Sequence, residues 1–135
     1  MSGAQRLRCL GPLIVMAAIF CTSSLPDTGS GGLLSLVPGT LKNLLHVPAY
    51  ALLAASLCLA LARRRGWGAA LLVLVLTFSY GVFDEWHQSF VPGRYVSGAD
   101  LLRDLLGAAI GVGLMRRWWA AQAVPGTDIP PADGC

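Results

Sequence analysis

Long stretches without a charged residue are the feature that most constrains the fold of this chain. Three such runs occupy residues 9–26, 43–62 and 66–83 and contain 18, 20 and 18 residues. An α-helix rises about 1.5 Å per residue, so each run can cross the roughly 30 Å hydrocarbon core of a bilayer. Charged residues make up only 13% of the chain, against about 25% in a typical soluble domain. The pattern therefore predicts an all-α membrane protein.

A fourth segment has a shorter uncharged run of eleven residues, 105–115. Because this is about half of a membrane span, we expect the helix to begin earlier, near Ser97. That start places three charged side chains in the first turns of the helix: Asp100, Arg103 and Asp104. A charged residue at the centre of a transmembrane helix costs about 2.5–3.5 kcal/mol. We therefore expect these side chains at a membrane surface or inside the helix bundle.

The four segments predict one domain over residues 1–123, a polytopic bundle of four transmembrane helices. The expected spans are about 9–26, 44–62, 66–83 and 97–115. We interpret the first as an uncleaved anchor, because no clear signal-peptide cleavage site follows it. Residues 124–135, with three prolines and two glycines, are expected to form a flexible cytoplasmic tail.

Lys and Arg residues predict the orientation of this bundle, because cytoplasmic loops carry an excess of them. With both termini in the cytoplasm, the outer side holds three basic residues: Lys42, Arg94 and Arg103. The inner side then holds seven arginines: Arg6, Arg8, Arg63, Arg64, Arg65, Arg116 and Arg117. These arginines also explain the net charge of +3. The expected partner is the lipid bilayer rather than a nucleic acid.

Metal and cofactor sites are not expected from the sequence. The four cysteines form no C-x-x-C pair, and no other metal-ligand spacing or cofactor motif is visible. The oligomeric state is left open.

The predicted topology places most of the polar side chains at the outer face. His46 opens the second helix, Asp84 and Glu85 close the third, and His87, Gln88 and Arg94 are expected in the short loop that follows. Asp100, Arg103 and Asp104 open the fourth helix and share one of its faces with Gly107 and Gly111. His46 and Tyr50 also share a helical face. A single pocket that contains His46, Glu85, Arg94, Asp100 and Asp104 is geometrically easy to form.

Each of these residues also has a structural interpretation. His46 could be an interfacial histidine, and Glu85 could pair with Arg94 or Arg103. Asp100 and Asp104 could simply complement the helix dipole. The two glycines, Gly107-x-x-x-Gly111, are typical of close helix packing, with the alanine-rich second helix as the expected partner.

Three sequence motifs resemble those of the VanZ-like family of bacterial membrane proteins. They are Leu44–Tyr50 (LLHVPAY), Asp84–Arg94 (DEWHQSFVPGR) with Ser97 and Asp100, and the Gly107–Gly111 helix. The resemblance covers about residues 41–115. Two positions depart from the pattern. Lys42-Asn43 stands where many members have Asp-Lys, and Asp104 stands where many have Asn.

The resemblance implies a multi-pass protein of the bacterial cytoplasmic membrane that acts at the cell envelope, and the family's namesake is associated with teicoplanin resistance. The leading hypothesis is a site for an anionic lipid-linked or glycopeptide-like ligand. Arg94 would hold the anion, and the other binding residues would be His46, Tyr50, Glu85, Gln88, Asp100 and Asp104. One alternative is a membrane enzyme with Glu85 or Asp100 as general base and His46 as acid. Another is a structural protein in which the polar cluster only locks the helices together.

Overall fold

The computed structural model describes residues 3–26, 43–61 and 66–122, and these form four α-helices without a β-strand. Helix α1 covers Gly3–Ser23, α2 covers His46–Ala60, α3 covers Trp67–Gln88 and α4 covers Gly98–Gln122. The all-α architecture expected from the sequence is therefore confirmed. The expected tail at 124–135 lies outside the described residues, as do Asp27, Lys42 and Arg63–Arg65.

Among the described helices, α3 is long and apolar enough to cross a membrane by length and composition. Helix α2 and the Arg8–Ser23 part of α1 are apolar but shorter. The 15 residues of α2 extend about 22 Å, less than the roughly 30 Å of a hydrocarbon core. Helix α4 carries charged residues near both of its ends. Four membrane crossings therefore remain a prediction.

Helix α2 packs most extensively against α4, and two glycines make this approach possible. A Cβ atom added to Gly107 would lie 2.3 Å from the carbonyl oxygen of Val47, and one added to Gly111 would lie 2.3 Å from that of Ala51. The two backbones are thus in direct contact along one face, as in other small-xxx-small helix pairs. Next to them lies an apolar core that includes Ala54, Cys58, Val73, Ala108 and Val112.

The chain reverses direction between successive helices, so four helix ends meet at one end of the bundle. These are the last residues of α1 and α3 and the first residues of α2 and α4. Contacts between helices join them there, including Ser23 with Asp84 and His46 with Asp104. We call this part of the molecule the polar end.

Helix α3 reaches the polar end with more residues than expected from the charge pattern. It continues to Gln88, five residues beyond the expected limit at residue 83. His87 and Gln88 were expected in the loop, and that expectation was wrong: both lie in the last turn of the helix. The helix can continue because protein groups, rather than water, provide hydrogen bonds to Asp84 and Glu85. Helix α4 likewise continues beyond residue 115 to Gln122.

Candidate functional site

Six polar side chains of the described residues are buried at the polar end. Their exposed fractions do not exceed 6%: Ser23, Asp84, Glu85, Gln88, Asp100 and Asp104. Burial of a charged group is costly unless it is paired or hydrogen-bonded. The partners of the four carboxylates therefore define what this region can do.

Asp84 connects α3 to the end of α1. Its Oδ2 accepts hydrogen bonds from Ser23 Oγ and Gln88 Nε2, each at 2.9 Å. Its Oδ1 is buried and has no partner in the described part of the chain. Just beyond the end of α1, Ser24 Oγ and His87 Nε2 lie 3.0 Å apart. Sequence reasoning placed Asp84 at this face but gave it no site role, and it missed Ser23 and Ser24 because no local pattern links α1 to α3.

Asp104 and His46 connect α4 to α2. His46 Nδ1 lies 2.9 Å from Asp104 Oδ1, and Asp104 is fully buried. The imidazole also lies parallel to the ring of Tyr50, with 6.1 Å between the ring centroids. Helix geometry accounts for the ring contact, since His46 and Tyr50 lie one turn apart on α2. The carboxylate of Asp104 thus fixes the orientation of the histidine ring.

Glu85 and Asp100 lie beside this pair. Glu85 Oε2 accepts a hydrogen bond of 2.8 Å from the backbone N–H of Ser97, and Asp100 Oδ1 forms an ion pair with Arg103. His46, Glu85 and Asp100 each offer a metal-ligand atom, and these atoms all lie within 4.8 Å of one another. We call these three residues the His46 triad. No pairing of Glu85 with Arg94 or Arg103 occurs among the described contacts.

A tight turn between α3 and α4 positions Arg94. The backbone N–H of Arg94 donates to the carbonyl oxygen of Val91 at 3.1 Å, and Gly93 has a φ of 79°. Pro92 and Gly93 therefore occupy the two central positions of a type II turn, where proline and glycine are preferred. The guanidinium reaches α1, where Nη2 donates to the carbonyl oxygen of Thr22 at 3.2 Å. Its Nε is buried and has no partner within the described residues.

Arg94 lies on the wall of a cavity of about 420 Å³ between α1, α2 and α3. The polar part of the lining consists of Thr22, Ser23, His46, Asp84 and Arg94, together with Tyr50. The apolar part consists of Ile19, Leu45, Pro48, Ala49 and Leu52. The described lining is therefore amphipathic and includes the cationic side chain of Arg94.

The residues predicted to form one pocket occupy two adjoining groups. His46, Tyr50 and Arg94 line the cavity. Glu85, Gln88, Asp100 and Asp104 are absent from its lining and lie among the buried contacts of α2, α3 and α4. Arg94 is separated from Glu85, Asp100 and Asp104 because its loop directs it toward α1. His46 belongs to both groups.

A family model described as VanZ/LLP1 matches residues 11–120 of the chain. This range is most of the sequence and reaches all four helices. The chain belongs to the VanZ/LLP1 family. Comparisons with curated proteins and with solved structures gave no match.

The VanZ/LLP1 match includes every residue of the cavity and of the His46 triad, since all of them lie between residues 19 and 100. The resemblance inferred from the sequence motifs is thereby confirmed. It assigns the domain but no ligand, so the chemistry has to be argued from the two groups of residues.

Proposed function

We propose that this protein is a multi-pass protein of the bacterial cytoplasmic membrane that binds an anionic, amphipathic envelope ligand at its outer face. The observation that carries the proposal is the amphipathic cavity with Arg94 in its wall. The proposal specifies a lipid phosphate or pyrophosphate as the ligand.

The distribution of polar and apolar side chains supports a membrane environment. Leucine and isoleucine side chains are exposed on every helix, for example Ile14 (66%), Leu52 (59%), Leu71 (62%) and Leu102 (69%). Carboxylates such as Asp104 are instead fully buried. Water-soluble proteins rarely expose large contiguous apolar surfaces, whereas hydrocarbon is a suitable solvent for them. We place the polar end outside the cytoplasm, because the excess of arginine is assigned to the other side.

Arg94 supports the choice of an anion. A guanidinium presents several N–H donors in a planar fork that matches phosphate oxygens. Within the described part of the chain, Nη2 donates to the backbone of Thr22, while Nε is buried without an acceptor. A buried donor that lacks an acceptor costs about 1–3 kcal/mol. A phosphate oxygen at Nε would remove that cost.

The size and lining of the cavity support a lipid ligand. Its volume of about 420 Å³ lies in the range of small-molecule sites, roughly 300–1,000 Å³. Ile19, Leu45 and Leu52 offer an apolar wall for the first carbons of a hydrocarbon chain. Asp84 and Thr22 offer acceptors for hydroxyl or ammonium groups of a headgroup. The lining therefore fits a lipid headgroup together with the start of its chain.

The test measures ligand binding to the full-length protein in detergent, with farnesyl pyrophosphate as the probe. We expect farnesyl pyrophosphate to bind at least tenfold more tightly than either farnesol or free pyrophosphate. R94E should abolish this binding because it places a carboxylate where the anion lies. The matched control is R117E, which reverses the charge of an exposed arginine near the end of α4 that lies away from the polar end. It should leave the affinity unchanged.

Equal affinity of the wild-type protein and a folded R94E variant for farnesyl pyrophosphate would contradict the proposal. Equal affinity of the wild-type protein for farnesol and for farnesyl pyrophosphate would also contradict it. Far-ultraviolet circular dichroism shows whether each variant keeps its helices. A purely structural polar end would instead show reduced stability without any preference for pyrophosphate.

We extend the proposal to teicoplanin-type resistance on the basis of the family resemblance alone. The same pair of variants provides the readout in a teicoplanin-sensitive bacterium. Expression of the wild-type protein and of R117E should raise the inhibitory concentration, and expression of R94E should not.

A further inference from the structure

We propose that the His46 triad, formed by His46, Glu85 and Asp100, binds one Zn²⁺ ion. This inference goes beyond the proposed function and does not depend on it, because Glu85 and Asp100 do not line the cavity that contains Arg94. Sequence reasoning expected no metal, since the three ligands come from three different helices and have no recognisable spacing.

The positions of the three side chains are compatible with one ion. Their ligand atoms all lie within 4.8 Å of one another. Ligands at about 2.0–2.2 Å from a tetrahedral zinc ion stand roughly 3.3 Å apart. Small rotations about side-chain torsions are sufficient to bring three atoms from the observed separation to that one.

Each member of the triad uses one polar atom for a contact with the protein and keeps a second atom. His46 Nδ1 binds Asp104, Glu85 Oε2 binds the backbone of Ser97, and Asp100 Oδ1 binds Arg103. Such outer contacts orient the ligands of metal sites, and a carboxylate on the second nitrogen of a ligating histidine is typical. His46 Nε2, Glu85 Oε1 and Asp100 Oδ2 are left for the ion.

The unpartnered oxygen of Glu85 is an independent indication of a ligand. Glu85 is 2% exposed, and its Oε1 has no hydrogen-bond partner among the described residues. Native proteins rarely leave a buried polar atom unsatisfied, and an ion at the site is one explanation for such an atom. The oxygen belongs to the side chain that also lies near His46 and Asp100.

The charge of the cluster also favours a cation. Glu85, Asp100 and Asp104 are all buried, and the cation paired with this cluster among the described residues is Arg103, which binds Asp100. With a neutral imidazole, three carboxylates and one guanidinium leave two negative charges in a region of low dielectric constant. A divalent ion neutralises both, whereas uncompensated buried charges cost several kcal/mol each.

The ligand set selects the metal. One imidazole and two carboxylates suit Zn²⁺, which binds nitrogen and oxygen ligands in sites with three protein ligands and an open position. Mg²⁺ and Ca²⁺ prefer ligand sets made only of oxygen.

The test uses the full-length protein in detergent, stripped with a chelator and then titrated with Zn²⁺ against a chromophoric competitor. We expect one ion per chain. E85Q and D100N should each weaken Zn²⁺ binding at least tenfold. S89A is the control, because the exposed Ser89 hydroxyl donates to the carbonyl oxygen of Trp86 outside the triad, and it should change the affinity less than twofold.

Asp104 is expected to act as a positioning residue. D104N should lower the affinity about tenfold, as is typical for outer-shell partners, and should leave the stoichiometry at one ion per chain.

X-ray absorption on the wild-type protein keeps the proposal testable even if a variant fails to fold. The expected first shell contains nitrogen and oxygen at about 2.0–2.2 Å and no sulfur at about 2.3 Å. Failure to retain Zn²⁺, sulfur ligands from the cysteines, or equal affinity in folded E85Q and D100N would each overturn the assignment.

Discussion

Within the described contacts, Asp84 is a buried carboxylate whose hydrogen-bond donors are both neutral side chains. It is fully buried, and its Oδ2 accepts one hydrogen bond from a hydroxyl and one from an amide. Gln88 lies one turn further along the same helix, whereas Ser23 lies on α1 and meets Asp84 only in the folded state. The hydrogen bond between Ser23 and Asp84 therefore links the end of α1 to α3.

We predict that D84A lowers stability by about 1–3 kcal/mol, because Ser23 and Gln88 would lose a buried acceptor. The measurement is the thermal midpoint of the helix signal in detergent. S89A is the control, since the Ser89 hydroxyl is exposed and binds only the carbonyl oxygen of Trp86. An unchanged midpoint for D84A would show that the Ser23 and Gln88 contacts contribute nothing.

Individual side chains were predictable from the sequence where local chemistry constrains them. The dipeptide Pro92-Gly93 is typical of the central positions of a type II turn, and the turn that precedes Arg94 has these residues in those positions. The partner of that arginine was not predictable. Thr22 precedes Arg94 by 72 residues, and no charge or motif marks its carbonyl oxygen as the acceptor.

At the scale of secondary structure, the pair α2 and α4 depends on two positions without a side chain. Gly107 and Gly111 lie one turn apart and leave room for the backbone at Val47 and Ala51. Gly113 lies on the same helix, and an added Cβ there would meet nothing within 4 Å. The same helix therefore offers a crowded glycine, Gly107, and an uncrowded one, Gly113, for comparison.

We predict opposite effects from the same substitution at these positions. G107A should be strongly destabilising, because its Cβ would lie 2.3 Å from a backbone oxygen and the helices would have to separate. G113A should be neutral or stabilising by about 0.5–1 kcal/mol, since alanine is the better helix former. Thermal melting of both variants in detergent checks the pair. Equal midpoints would contradict the close packing of α2 and α4.

The sequence predicted the existence of the helices better than their limits. Each of the four helices overlaps one of the uncharged runs. Such runs are visible in the sequence because a helix that is apolar along its length needs a continuous stretch of apolar residues. The end of α3 was misplaced because Asp84 and Glu85 were treated as residues that require water. One oxygen of each accepts hydrogen bonds from the protein: Asp84 Oδ2 from Ser23 and Gln88, and Glu85 Oε2 from the backbone of Ser97. The contacts with Ser23 and Ser97 form only when the chain folds, so no local pattern announces them.

At the scale of the whole molecule, the polar end brings together the last residues of α1 and α3 and the first residues of α2 and α4. The chain order requires this arrangement, and contacts such as His46 with Asp104 establish it. In the proposed membrane orientation, the side that this end faces is inferred from the distribution of arginines in the sequence.

We predict that Y95C, at an 86% exposed position near the polar end, reacts with a membrane-impermeant maleimide in intact cells. The control is G68C, at the start of α3, where an added side chain meets open space. It should react only after lysis. Both variants are made with the native cysteines replaced by alanine. Labelling of G68C but not Y95C in intact cells would reverse the proposed orientation.

His46 belongs to the cavity wall and to the cluster of carboxylates at the same time. An occupant of either region that turns the imidazole changes the free energy of binding at the other. Thermodynamic linkage makes such an influence reciprocal: if an anion in the cavity alters cation affinity by a given factor, the cation alters anion affinity by the same factor. A single ring would then let this small domain respond to two solutes jointly rather than separately.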